Sequence, residues 1–536
     1  MFFRDYGANP LVLADMDSLS TFATDVDKGA YSIMRRYVED GHLPPRDAPR
    51  VEEFVNYFSG GYPEFYNPDF RILMDGAPSP FGDGFYLVRI GVKGRVIDES
   101  RRKPAHLVFV VDTSGSMQAE NRLGLVRESL HVLLGRLRPD DRVGIVAYGS
   151  NAWVVLESTT VQDRRIIEDA IDSLQPSGST NAEEGLLLGY RMARRYFDSA
   201  ANNRILLCSD GVANVGRTGP DSILERVKSE ADHGIDLTTV GFGMGNFNDV
   251  LMERLADQGD GAYYYVDDLA EAHRVFEENL TGTLQTIARD AKLQVEFDPK
   301  IVQAYRLLGF ENRDIADPDF RNDAVDAGEI GAGHEVTALY EVRFQKDVQP
   351  GRSGRFATVR MRYEVPDVEI PRPTGWALAN AGEKQSQTRT LMSQEPEQRD
   401  RSRSVDAGGT ESGERAFRTV PLVQEIEQPL RLDQLATDVS RTTPRFRLAA
   451  VVAELAEILR QSYWAKGQTI DEILPMTRDV ARELQDDPDV VELLRLVERA
   501  RSLEATMSPS ERVDRDRIAD GQRPVPPYFP PGRDDE

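Results

Sequence analysis

Residues 107–111, Leu-Val-Phe-Val-Val, form an uninterrupted apolar run that ends at once in Asp112-Thr-Ser114-Gly-Ser116. A strand with one solvated face would alternate polar and apolar residues, so this run predicts a strand covered on both faces, within a parallel sheet clothed by helices. The polar residues then fall in the loop at the carboxyl end of the strand, where open α/β sheets bind ligands. Their side chains offer one carboxylate and two hydroxyls at alternate positions, and no nitrogen or sulfur.

All-oxygen sets suit hard divalent cations. Mg2+ prefers near-octahedral oxygen coordination, keeps some water and usually takes only one or two carboxylates from the protein. A single Asp with two neutral Ser leaves most of the ion's charge uncompensated, so a bound ion would attract a carboxylate from outside. Taken alone, the same residues are ordinary turn formers or a cap for a helix starting near Asn121.

Two later segments bear on that choice. Gly178-Ser-Thr180-Asn181 precedes a helical pattern through Leu186, Leu187, Tyr190, Met192, Ala193 and Tyr196, which puts Thr180 at a helix start. Alone it reads as an N-cap. Arg204-Ile-Leu-Leu-Cys-Ser-Asp210-Gly211 repeats the design of a strand closed by a carboxylate, although Asp-Gly is also a common turn pair.

Together, Asp112, Ser114, Ser116, Thr180 and Asp210 resemble, in order and spacing, the metal-ion-dependent adhesion site of von Willebrand factor type A domains. All five positions match. The resemblance implies that the two Ser and the Thr, with one or both Asp directly or through water, hold Mg2+ or Mn2+, Ca2+ being less suited. It further implies a non-enzymatic, metal-dependent protein-binding module in which a partner's Glu or Asp completes the coordination. Outside this motif, Leu19-Ser-Thr-Phe, Asp25-Val-Asp27, Leu43-Pro-Pro45, Val51-Glu-Glu-Phe-Val-Asn-Tyr-Phe58, Asp326 to His334 and the C-terminal helices resemble a bacterial YfbK-type subfamily of type A domain proteins.

Apolar and helical periodicities organise the rest. Strands are expected near 105–111, 142–148, 152–157, 203–209, 235–241 and 262–266, with helices such as Arg122 to Leu137 and Asp221 to Asp232 between them. This alternation predicts a Rossmann-like, doubly wound, mainly parallel α/β sheet over residues 103–284. Residues 67–102 and 285–365 carry alternating runs such as Phe85 to Val92 and Val336 to Phe344, which predict antiparallel strands. These should pair across the α/β domain and carry it as an insertion in a β-sandwich. Residues 1–66 read as a short strand and two helices, with Asp27 as the cap of the first helix rather than part of a second cation site with Asp25.

Residues 366–434 are poor in core-forming side chains, most of all from Glu383 to Arg415, and read as a disordered linker. A small helical bundle that packs on itself or on another domain is expected over 435–506, opened by Thr443-Pro444, with a capping-box pattern at Thr469 to Glu472 and a kink or early end at Pro475. A flexible tail follows over 507–536.

The net charge of −25 disfavours nucleic acid or an anionic membrane as partner. The lone Cys208 forms no intrachain disulfide and sits within an expected strand, and no His pair has zinc-site spacing. No run of about eighteen apolar residues occurs, so the chain as given reads as soluble without a membrane span. Relatives of this type often carry a signal or lipoprotein peptide, which leaves the compartment open between cytoplasm and cell surface. The chain lacks a phosphate-binding GxxxxGK[ST] loop, an HExxH and a GxSxG elbow. Gly241-Phe-Gly-Met-Gly245 reads as a strand-exit turn. The alternatives to a binding module are a metal-assisted phosphoester hydrolase, for which Asp112 or Asp210 would have to serve as base, and a structural subunit whose metal only braces loops.

Overall fold

A computed structural model describes residues 3–24, 27–211, 220–243, 248–278, 282, 284–325, 327–366, 369–371, 417–419 and 422–506. Asp25, Met244, Gly245, Asp326, the stretch from Glu383 to Arg415 and the tail from Met507 lie outside those residues, and so do the expectations that fall on them.

The strands of the N-terminal part are β1 (Val12–Leu13), β2 (Leu19–Ala23), β3 (Phe70–Pro78) and β4 (Tyr86–Gly94). Next come β5 (Ala105–Asp112), β6 (Arg142–Tyr148), β7 (Ala152–Thr160), β8 (Asn202–Ser209), β9 (Ile235–Phe242) and β10 (Tyr263–Val266). These six form one sheet in the order β10-β9-β8-β5-β6-β7, parallel except for the antiparallel edge strand β7. From β5 the chain winds outward through β6 and β7, then returns to β8 on the other side of β5. The strand order therefore reverses between β5 and β8, the place where a doubly wound sheet opens a crevice at its carboxyl ends.

Every residue of β5 is buried. Leu107, Phe109 and Val111 pack with Leu123, Val126 and Leu130 of the helix Arg122–Arg136. Val108 and Val110 face the opposite way, onto Leu186 and Tyr190 of the helix Ala182–Arg195. Period-two alternation thus sends successive side chains into two separate cores, each worth about 1.5–3 kcal/mol when fully buried. Cys208 on β8 is buried as well, and burial raises its thiol to about 12.

The remaining strands are β11 (Thr286–Phe297), β12 (Val302–Leu308), β13 (Gly328–Gly331), β14 (Glu335–Phe344), β15 (Arg355–Val365), β16 (Glu369–Pro371), β17 (Phe417–Thr419) and β18 (Leu422–Arg431). One antiparallel sheet runs β1-β12-β14-β4-β3, a second runs β13-β11-β15-β18 with β2 also on β11, and β16 pairs with β17. Val88, Ile90 and Tyr340 from the first meet Leu293, Val295 and Met361 from the second in a shared core. Strands before and after the α/β domain pair directly, β4 with β14. The chain leaves and returns at adjacent points, where Lys103 N donates to Gln285 Oε1 (3.3 Å).

Several local expectations change. β18 lies within the segment expected as a linker and pairs with β15 along its length, because Ile426 and Leu430 supply enough apolar surface for an edge strand. Asp27 does not cap the helix Gly29–Glu39: its oxygens accept from Tyr263 N (3.0 Å) and Arg313 Nη2 (2.9 Å), and Lys28 stands at the N-cap. Thr443 caps the helix Pro444–Leu459 as expected, through Phe446 N (3.2 Å). Thr469 makes no cap bond, and Ile470 N donates to Glu504 instead (3.2 Å). The helix Ile470–Glu483 runs through Pro475 without ending, since Pro475 and Asp471, whose carbonyl loses its donor, are both exposed.

The C-terminal helices pack on other regions of the chain as well as on each other. Phe446, Val452 and Leu455 share one core with Val51, Phe54 and Phe58 of the N-terminal region and with Leu87 and Leu339 of the sandwich. Buried charge is paired there. Glu457 accepts from Arg306 (2.9 Å) and Arg460 (3.0 Å), which overcome burial and hold its carboxyl down at about 2. Glu454, one turn earlier, has a buried Oε1 without a hydrogen bond among the described residues. Burial, with Glu457 and Glu341 nearby, raises it to about 8.

Two outcomes follow. An acid with a raised folded-state pKa lowers stability as pH climbs from about 4.5 toward 8, because the unfolded chain releases its proton first. Glu454→Gln should therefore raise the urea midpoint at pH 8.5 and leave it nearly unchanged at pH 4; equal shifts at both pH values would refute this. The second concerns the base of the α/β domain, where Asp141 accepts from Arg102 (2.6 and 3.1 Å) and from the amides of Ala105 and Arg138 (both 2.7 Å). Asp141→Ala leaves a buried guanidinium unpaired and should cost about 3–5 kcal/mol in urea unfolding at pH 7; a loss below about 1 kcal/mol would show that the pair is not needed.

Candidate metal centre

β5 is buried on both faces, and after His106 near its start the next polar side chain is Asp112, where the strand ends. Asp112 is fully buried and both its oxygens are engaged: Oδ1 accepts from Ser114 N (2.8 Å) and Oδ2 from Ser209 Oγ (2.9 Å). The first bond folds the chain into a tight Asx turn. It leads into a 3-10 helix, Gly115–Asn121, which is anchored by the buried Met117. Within this turn Ser114 Oγ and Ser116 Oγ lie 3.1 Å apart, Ser114 buried and Ser116 exposed.

Backbone bonds tie this loop to the end of β6 and to the loop that precedes the helix Ala182–Arg195. Thr113 N donates to Tyr148 O (2.8 Å), and Gly115 N to Gly178 O (3.0 Å). Gly178 has φ +77 and sits so close to Ser150 that a Cβ would lie 2.5 Å from its hydroxyl. Thr180 follows two residues later, half-buried. Asn181, not Thr180, caps the next helix, with Asn181 Oδ1 accepting from Glu184 N (3.4 Å). The Thr180 hydroxyl is thereby left out of the cap and makes no hydrogen bond among the described residues.

Asp210 directly follows β8, one strand from Asp112, and is buried. Its Oδ2 accepts from Arg122 Nη1 (2.7 Å). Burial holds the Asp112 carboxyl above the usual carboxylate range; the Ser114 and Ser209 bonds oppose this, and the charge of Asp210 adds to it. Tyr148, beneath the site, has its phenol raised by burial and by Asp112.

The sheet edge thus brings together Asp112, Ser114, Ser116 and the Asp210 loop, with the Thr180 loop bonded alongside. Among the described residues no group of three or more His, Cys, Asp or Glu side chains is arranged so that it could hold a metal ion. Two carboxylates with hydroxyls do not make such a group, but they are a donor set that fits a hard cation. The Arg122 guanidinium already pairs with Asp210 at 2.7 Å. Two contributors escaped the sequence reading. Ser209 precedes Asp210 and could have been suspected from the strand's terminal Ser-Asp pair. Arg122 has no spacing signal: it reaches Asp210 across 88 residues, lying over Gly243, where a Cβ would meet its Nε at 2.4 Å.

Three family models match the chain. One described as von Willebrand factor type A domain covers residues 106–278, one described as von Willebrand factor covers 1–89, and one described as the C-terminal part of uncharacterized protein YfbK covers 282–394. The chain is similar to uncharacterized protein YfbK of Escherichia coli (strain K12), 39% identical over 348 residues, or 63% of this chain and 60% of that protein. It is also similar to inter-alpha-trypsin inhibitor heavy chain H3 of Mesocricetus auratus, 26% identical over 264 residues, or 45% of this chain and 29% of that one. Among solved structures, a von Willebrand factor type A protein from Catenulispora acidiphila aligns at 16% identity over 57% of this chain and 72% of that chain, with a TM-score of 0.37. The chain spans less than two thirds of the length of these two curated relatives.

Proposed function

From a chain that carries a von Willebrand factor type A domain followed by a YfbK-type region, we propose a divalent-cation-dependent protein-binding module. Domains of this type mediate protein–protein interaction. In this reading Ser114, Ser116, Thr180 and Asp210, with Asp112 through water or directly, hold Mg2+ or Mn2+, and an acidic side chain of the partner completes the shell. The ion would supply Lewis-acid attraction for that carboxylate. The observation that carries the proposal is the turn at the end of β5. Asp112 is committed on both oxygens to shaping the loop, and the Ser114 and Ser116 hydroxyls are left 3.1 Å apart at the mouth of the crevice. So few carboxylates would leave the ion short of negative charge, which favours an acidic partner over self-sufficient binding.

The test is recovery of partners from the native organism on immobilised protein. Wild type with Mg2+ should retain a partner that is lost on chelation and reduced at least tenfold by Asp112→Ala. Unchanged recovery under both treatments would sink the adhesion reading.

Arg122 gives a second, partner-free measurement. Its charge-assisted bond to Asp210 must loosen before a cation uses that oxygen, and such a bond is worth about 1.5–3 kcal/mol. Arg122→Ala should therefore tighten Mn2+ binding by on the order of tenfold in calorimetric titration, since about 1.4 kcal/mol is one decade. Weaker Mn2+ binding in the variant would mean that Arg122 supports the site rather than competing for it.

A further inference from the structure

A partly open cavity of about 710 Å3 lies where the N-terminal helices, the helix after β10, the sandwich and the C-terminal helix Pro488–Thr506 meet. Its volume is in the range of small-molecule sites. It is remote in sequence from the Asp112 loop and shares no lining residue with it.

The carboxylates on its wall are all taken. Glu271 accepts from Arg35 Nη2 and from the Tyr57 hydroxyl (both 2.8 Å), and Glu335 accepts from Lys93 Nζ (3.0 Å). Asp487 pairs with Arg445 (2.7 Å), Asp489 with Arg274, and Glu492 with Arg35 (3.2 Å). Lys28 is the exception, with no hydrogen bond or ion pair among the described residues. Burial and the neighbouring Arg274 pull its ammonium down to about 8, against the opposing effect of Glu335 and Glu271. His334 is pushed to about 3 by burial and by Lys28 and Lys93, so at neutral pH it offers a hydrogen bond without charge.

A partly desolvated ammonium is costly unless it is paired. Here the neighbouring carboxylates are committed elsewhere, and the space in front of the amine is open. We propose that this cavity binds a small oxyanion, a carboxylate or a phosphate, whose charge pairs with Lys28. Lys93 and Arg274 add positive potential from two other segments, and their own partners keep them from collapsing onto the ligand space. The site is assembled only when the N-terminal helix, the type A domain and the sandwich are together, so no single segment would show it.

The experiment is calorimetric titration of the full chain in metal-free buffer, where no cation at the Asp112 loop can attract the probe. Inorganic phosphate and acetate are the two probes. At least one should give saturable binding to wild type, weakened tenfold or more in Lys28→Met and kept within threefold in Lys28→Arg. Circular dichroism and the urea midpoint establish that each variant is folded, and Lys28→Gln replaces Lys28→Met should the latter not fold. Binding of phosphate alone assigns a phosphate ligand, and binding of acetate alone a carboxylate. Absence of saturable binding of either probe to wild type, or equal binding by the folded Lys28→Met or Lys28→Gln protein, overturns the proposal.

Discussion

Burial of β5 on both faces is the constraint from which the rest of the molecule follows. A strand covered on both sides has no face on which to place a charge, so its polar chemistry is forced to the ends. At one end Asp141 and Arg102 close the base of the domain around the amide of Ala105; at the other, Asp112 turns the chain into the crevice. β8, next to it, has the same buried character and delivers Asp210 at the same level. The reversal of strand order between the two separates the crossing connections and leaves the crevice open.

Around this domain, buried guanidinium groups act as joints. Arg35 reaches Asp267, Glu271, Tyr57 and Glu492, and so links the first helix to the end of β10 and to the C-terminal helix. Arg50 does the same with Asp249 and Glu253 of the α/β domain, and Arg313 of the sandwich joins Asp27, Glu253 and Asp257. Ion pairs this deep repay little of their desolvation cost, and a packed apolar side chain of similar size would often do as well for stability. Their value is geometric: each accepts one arrangement of its partners, so they define how four regions of the chain sit together.

Within single elements, physical periodicity was a reliable guide. The continuous run before Asp112, the alternating strands flanking the domain and the Thr443-Pro444 cap each have a local cause, and the described elements follow them closely. Failures came where two local solutions compete. Asp27 and Thr469 are good caps in isolation, but Tyr263 N and Arg313 claim the first, while Glu504 serves the helix that the second would have capped. The strand Leu422–Arg431 looked like part of a tether because its polar residues outnumber its apolar ones, and only the waiting edge of β15 gives it a reason to order.

The amino-acid sequence by itself determined the α/β domain, its insertion between antiparallel strands and the placing of Asp112 and Asp210 where buried strands end. These depend on side-chain period and on residues close in sequence. Tertiary structure alone decided that the N- and C-terminal helices share a core, that Arg122 sits on Asp210, and that Lys28 faces a cavity whose carboxylates already have partners. Those outcomes depend on which charges meet after segments hundreds of residues apart have packed, and a charged side chain carries no mark of its distant partner.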